Sequence, residues 1–240
     1  MRSGSILGAF ALTLVAAPAA ATVEHSTLAG GTEGIYLTGE IQASDGAAFR
    51  ELAGQFANAM VFLESPGGDI VPAIEIGKLI RQHGYTTVVL ADGTCTSSCA
   101  LIWLAGTPRY LSPEGNLGFH AGYTEEGGRR LETGVGNAVI GFYLSQLNLS
   151  EKAVIFATSA SPYTIAWLNA ANSGDAEIGF EPAPASLPRP PESFLALSGP
   201  LQKAKAAPAP TKAESAPDPA KDDPPESEES APSKARIKQN

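Results

Sequence analysis

The chain has 240 residues, a net charge of -9, two cysteines and three histidines. That length allows one domain with a full core. The acidic balance argues against a phosphate-binding surface and hence against nucleic-acid partners, and no glycine-rich phosphate loop offers a nucleotide site.

The first residues, MRSGSILGAFALTLVAAPAAATV, place one arginine before an apolar run (6–17) and then Ala19-Ala20-Ala21. This is the pattern of a secretory signal peptide, expected over 1–21. The run is short for a membrane span and no later segment reaches the required length. The mature chain is expected to be periplasmic or secreted, with no membrane span after signal removal. Residues 22–32 read as an N-terminal extension and 33–180 as a single α/β domain.

IYLTGEI (35–41) alternates like a half-buried strand, and AAFRELAGQFANA (47–59) has helical spacing. AMVFLES (59–65) is a short continuous apolar strand of the kind buried on both faces of a parallel sheet. SPGGDI then opens a helix with Ile70, Ile74, Ile76, Leu79 and Ile80 on one face, stopped at His83-Gly84. YTTVVLAD (85–92) is the next buried strand, and GTCTSSCALIWLAG (93–106) reads as strand, tight turn and helix. Two short strands around a Ser-Pro turn follow in 107–123, then a polar stretch, TEEGGRRLETG, expected as a mobile loop. Two helices are expected over 134–160, the second capped by Ser150, and 167–180 as a short helix and a final strand. Strand–helix alternation of this kind implies right-handed crossovers and a mainly parallel sheet. Residues 181–240 hold 13 of the 19 prolines, with nine acidic and eight basic residues. Such a segment has too little apolar area to offset the entropy of ordering it and is expected to be disordered.

Ser97 lies where a buried strand turns into an apolar helix, and its own reading as a helix cap stands beside that of a nucleophile. Unpaired N–H groups at such a turn can hold an oxyanion. Gly67 and Gly68 provide a backbone open to close approach, or simply permit a turn. A serine needs a base, and His120 closes the strand NLGFH; His25 and His83 have no comparable place. Cys95 and Cys99, an even count in an exported chain, suit a disulfide clamping this turn, with two buried thiols as the alternative. No metal or cofactor is called for.

The runs LESPGGDIVPAIEIGKLI, CTSSCALIWLAG and LSPEGNLGFH, in this order, resemble the proteolytic subunit of Clp protease and its relatives on the ClpP/crotonase fold. The resemblance implies a repeated β-β-α spiral over about 33–180, with Ser97 as nucleophile and His120 as base. Gly67, Gly68 and Ser98 would supply oxyanion and substrate contacts, the donors being the N–H groups of Gly67 and Ser98. It implies peptide or unfolded-protein substrates and a homo-oligomer. The chain departs from the pattern where the relatives carry an aspartate, since Thr164-Ile165 stands there. Asp175, Asn169 or a backbone carbonyl remain to orient His120, or the site is a dyad. Lys78 and Lys152, the lysines of the expected domain, fall outside the place of a Ser–Lys pair. Two functions follow: an ATP-independent serine endopeptidase, or a catalytically silent peptide-binding module. An acyl-CoA enzyme fits less well, because CoA is not expected outside the cytoplasm.

Overall fold

The structure, a computed structural model, describes residues 21–197 apart from 185 and 189. The expected signal peptide, Ala21 excepted, and the tail beyond 197 lie outside the described residues. The first half runs β1 (Thr22–Thr27), β2 (Glu33–Thr38), α1 (Asp45–Ala53), β3 (Ala59–Glu64), α2 (Ile70–His83) and β4 (Thr86–Val89). The middle follows as β5 (Thr94–Thr96), α3 (Ser98–Trp103), β6 (Arg109–Leu111) and β7 (Asn116–Phe119). Then come β8 (Tyr123–Glu126), β9 (Arg129–Glu132), α4 (Gly134–Gln146), α5 (Glu151–Ser159), β10 (Ala166–Leu168), β11 (Glu181–Pro182) and α6 (Glu192–Leu197).

The main sheet has the order β1-β2-β3-β4-β6-β11, with β1 antiparallel to β2 and the other pairings parallel. Its strands alternate between two buried faces. Ile35, Leu37, Val61, Leu63 and Val89 join the core built with α1, α2 and α3. Tyr36, Phe62 and Val88 face the other way, into a second cluster closed by Phe194 of α6. Burial on both faces explains the unbroken apolar run of β3. α2 stops where expected, at Gly84 in the left-handed region with φ +67°.

A smaller sheet, β10-β7-β5, stands beside the main one. The chain passes from one to the other just after β3. Ser65 N–H donates to Thr94 O (2.8 Å) and Thr96 N–H donates to Ser65 O (3.0 Å). This handover lays 65–68 alongside 96–97, which is how two distant stretches of sequence meet.

Five expectations change. Residues 22–27, expected within an extension, form β1 and pair along the whole of β2. The helix expected over 47–59 covers Asp45–Ala53 and ends at Gly54, freeing Phe56. The polar stretch after Tyr123 is an antiparallel hairpin, β8–β9. Its two-residue loop, Gly127-Gly128, has φ +58° and +75°, a turn that glycine pairs adopt without strain. In 167–180 the strand comes first, as β10, and turns follow it. The tail expected to be disordered from 181 instead adds β11 to the main sheet. It also sends Phe194 over Tyr36, ring centroids 4.9 Å apart. The reason is the apolar outer face of β2 and β3, which would otherwise meet water.

Candidate active site

Ser97 sits between β5 and α3 with φ 59° and ψ -127°, a conformation that non-glycine residues rarely adopt. Such strain persists only where the surroundings over-determine it. Here they do. Ser97 N–H donates to Gly118 O (2.9 Å), and Ser97 O accepts from Ala100 N–H (3.0 Å). Cys95 and Cys99 form a disulfide across the turn, with Cα atoms 5.3 Å apart and both residues fully buried. The side chain of Ser97 makes no cap hydrogen bond, so the capping role open to it in the sequence is not the one it takes.

Gly67 is required by close approach. A Cβ there would lie 2.6 Å from Ser97 Cβ and 2.8 Å from Thr96 O, and its φ is +99°. At Gly68 (φ +143°) a Cβ would run into the backbone of Ile41. Both glycines therefore let the 65–68 backbone pass between Ile41 and the Ser97 turn. The expected oxyanion pair needs a correction. Gly67 N–H is already engaged by Ser65 Oγ at 3.0 Å, whereas neither Gly68 N–H nor Ser98 N–H has a hydrogen-bond partner among the described residues. Ser98 itself is buried, and its Oγ has no partner among the described residues.

Gly68, Ser97, Ser98 and His120 line one small cavity. Ile70, Leu101, Phe119 and Ile140 give it apolar walls. No hydrogen bond joins Ser97 to the His120 ring. His120 Nδ1 lies 2.8 Å from Ala121 O. A carbonyl can only accept, so Nδ1 carries the proton and Nε2 is left with its lone pair. Burial lowers the pKa of His120 from the ordinary 6.5; the Ala121 bond opposes this and the charge of Arg130 adds to it. The ring is thus neutral near pH 7, the form a base requires.

The other expected orienters are elsewhere. Asn169 Oδ1 accepts from Ala171 and Asn172 N–H within its own turn. Lys152, exposed, pairs with Glu177 at 2.8 Å, with Asp175 nearby. Lys78 is exposed on α2. Of the orienters left open by the sequence, the backbone carbonyl is the one in contact. Two residues were missed: Asn137 donates to Glu132 at 2.9 Å and accepts from Gly122 N–H at 2.7 Å, just behind His120. A polar residue in the apolar first half of α4 was the available signal.

No protein-family model matches the chain, and no curated protein matches it. Among solved structures it is similar to a variant of the 1510-N membrane-bound stomatin-specific protease in complex with a substrate peptide. That match has a TM-score of 0.50 and 15% identity, over 64% of this chain and 74% of the other. Another variant of that protease matches at TM-score 0.49 and 13% identity, over 68% and 81% of the two chains. The ClpP protease catalytic domain from Plasmodium falciparum matches at 0.44 and 20%, over 65% and 87%. At these identities the likeness is one of fold: a mixed α/β fold with a mainly parallel sheet.

Proposed function

We propose that this chain, on its ClpP-like fold, is an exported serine peptidase that hydrolyses short or unfolded peptides without ATP. The observation that carries the reading is a strained, buried-clamped serine opening on the same cavity as a neutral histidine whose Nδ1 is already bonded. Ser97 Oγ attacks the peptide carbonyl as His120 Nε2 takes its proton. The tetrahedral oxyanion is held by the N–H groups of Gly68 and Ser98. His120 then gives the proton to the leaving amine, and a water repeats the sequence to release the acyl group from Ser97. An extended peptide adds as a strand beside the Gly67-Gly68 segment. The Cys95–Cys99 disulfide supports an oxidising compartment, periplasmic or extracellular. Among the described residues no helix is long and apolar enough to cross a membrane. A homo-oligomer is proposed with it, since Val135, Val139 and Phe142 leave α4 an exposed apolar stripe.

A second reading, a silent peptide-binding module, is favoured by one observation: no carboxylate touches His120 among the described residues. Labelling with a fluorophosphonate probe separates the two. The peptidase labels at Ser97 and loses the label in Ser97→Ala, whereas a silent module shows no labelling above that variant.

A further inference from the structure

His120 has no acid against its ring, yet a chain of hydrogen bonds leads from it to one. Nδ1–H donates to Ala121 O at 2.8 Å. That carbonyl shares its peptide plane with the N–H of Gly122, which donates to Asn137 Oδ1 at 2.7 Å. Asn137 Nδ2–H donates in turn to Glu132 Oε1 at 2.9 Å. The two partners dictate which way the amide faces, since the peptide N–H needs an oxygen and the carboxylate needs a donor.

We infer that Glu132 and Asn137 are positioning residues for His120, acting through the Ala121–Gly122 peptide in place of a directly bonded aspartate. This rests on the peptidase reading and supplies the third group of the same site.

The physical basis is polarisation along the chain. A peptide whose N–H is bonded to an acceptor becomes a better acceptor at its own carbonyl. Asn137 Oδ1 is strengthened in the same way, because its amide faces a carboxylate. Each link draws the Nδ1 proton of His120 and favours the imidazolium that forms when Nε2 accepts the serine proton. Position matters as well. The same short segment is pinned on both sides, by Ala121 N–H to Ala160 O (2.8 Å) and Thr133 N–H to Gly122 O (2.9 Å). A carboxylate exposed on a hairpin would act weakly across solvent, and bonded contact is what lets Glu132 reach the ring.

The other groups facing His120 do not supply this support. Arg130, from β9, is a cation and opposes protonation. It is held away by Pro162 O at 3.0 Å and lies over the Tyr123 ring at 5.0 Å. Tyr123 stands 5.6 Å from His120, ring to ring. The residues contributed to the cavity by α2, α3, α4 and α5 carry no charge.

The test is an NMR titration of the His120 ring in the full chain, assigned with His120→Gln, run alongside fluorophosphonate labelling against pH. Glu132→Gln keeps the size of an exposed side chain and so keeps the fold. It is expected to lower the His120 midpoint and slow labelling about threefold. Asn137→Ala removes two links and is expected to lower the midpoint further, with labelling down about tenfold. Asn137→Asp keeps an oxygen for Gly122 N–H and brings a charge one bond nearer, so the midpoint rises above that of Asn137→Ala. Midpoints equal to wild type in both Glu132→Gln and Asn137→Ala overturn the inference, as does slower labelling that only tracks a lower melting temperature. Absence of labelling in the wild type would sink the peptidase reading instead, and the titration still decides the relay.

Discussion

The two sides of the cavity are built differently. The nucleophile side is held by covalent and backbone constraint: a buried disulfide, two glycines admitted at close range, and a helix, α3, with all its residues buried. The histidine side has no covalent brace among the described residues and is held largely by hydrogen bonds, through one peptide, Asn137 and an exposed Glu132 on a two-stranded hairpin. A strained serine needs rigid support, because nothing else keeps φ positive at a residue with a Cβ. An imidazole that gains and loses a proton, as the proposed mechanism asks of His120, is better served by polarisable contacts. The nucleophile side should therefore break sharply, and the base side by degrees.

The largest expected effect is Ser97→Ala. Probe labelling falls to background while the melting temperature changes little, since Ser97 makes no cap bond. Retained labelling at another serine would move the nucleophile and end the comparison.

Replacing both Cys95 and Cys99 by alanine comes next. A thiol titration of the unfolded wild type should find no free cysteine. The variant is expected to label about tenfold more slowly while losing ~2 kcal/mol at most, because the loop closed is small but contains Ser97. Equal losses in stability and labelling would make the disulfide a general staple rather than a clamp on one side.

Phe194→Ala tests a region distant from both sides. It is expected to lower unfolding stability by about 3–5 kcal/mol, as for a buried aromatic, with labelling of the folded protein unchanged. A chemical-denaturation midpoint equal to wild type would show that α6 does not cover the main sheet.

The base side gives a pH signature. In the proposed mechanism His120 acts when neutral, and burial lowers its pKa from 6.5, so labelling is expected to be lost only as pH falls below that ordinary value. A half-point above 6.5 would show that the hydrogen-bonded support of the ring outweighs its burial.

Smallest of all is Ser98→Ala. Its hydroxyl is buried without a partner among the described residues, and its proposed role uses the backbone N–H. Removing it is expected to leave labelling within about twofold of wild type and stability equal or slightly higher. Loss of labelling here, with Ser97→Ala active, would mean that the register across CTSSC is shifted by one.

Much of this architecture was legible because it is local. The continuous apolar run of β3, the helical face from Ile70 to Ile80 and the stop at Gly84 are patterns with a period, and each element formed within a few residues of its expected place. The β8–β9 hairpin was legible in principle from Gly127-Gly128 but was masked by its polar strands, whose β9 residues stay exposed and show no apolar alternation. β11 and α6 were hidden for the opposite reason. A proline-rich composition argues against order, and what orders Phe194 is the outer face of β2 and β3, far away in sequence.

At the site, the strand–turn–helix around Ser97, the paired cysteines and a histidine ending a strand are properties of short stretches and could be read in order along the chain. Which N–H groups stay free, which atom holds Nδ1 and what stands behind it could not. Those answers depend on Ser65 turning back onto Gly67, and on α4 bringing Asn137 against the peptide after His120. A donor belongs to whichever acceptor lies within about 3 Å of it, and distances that short between separate elements exist only once the core has set the elements side by side.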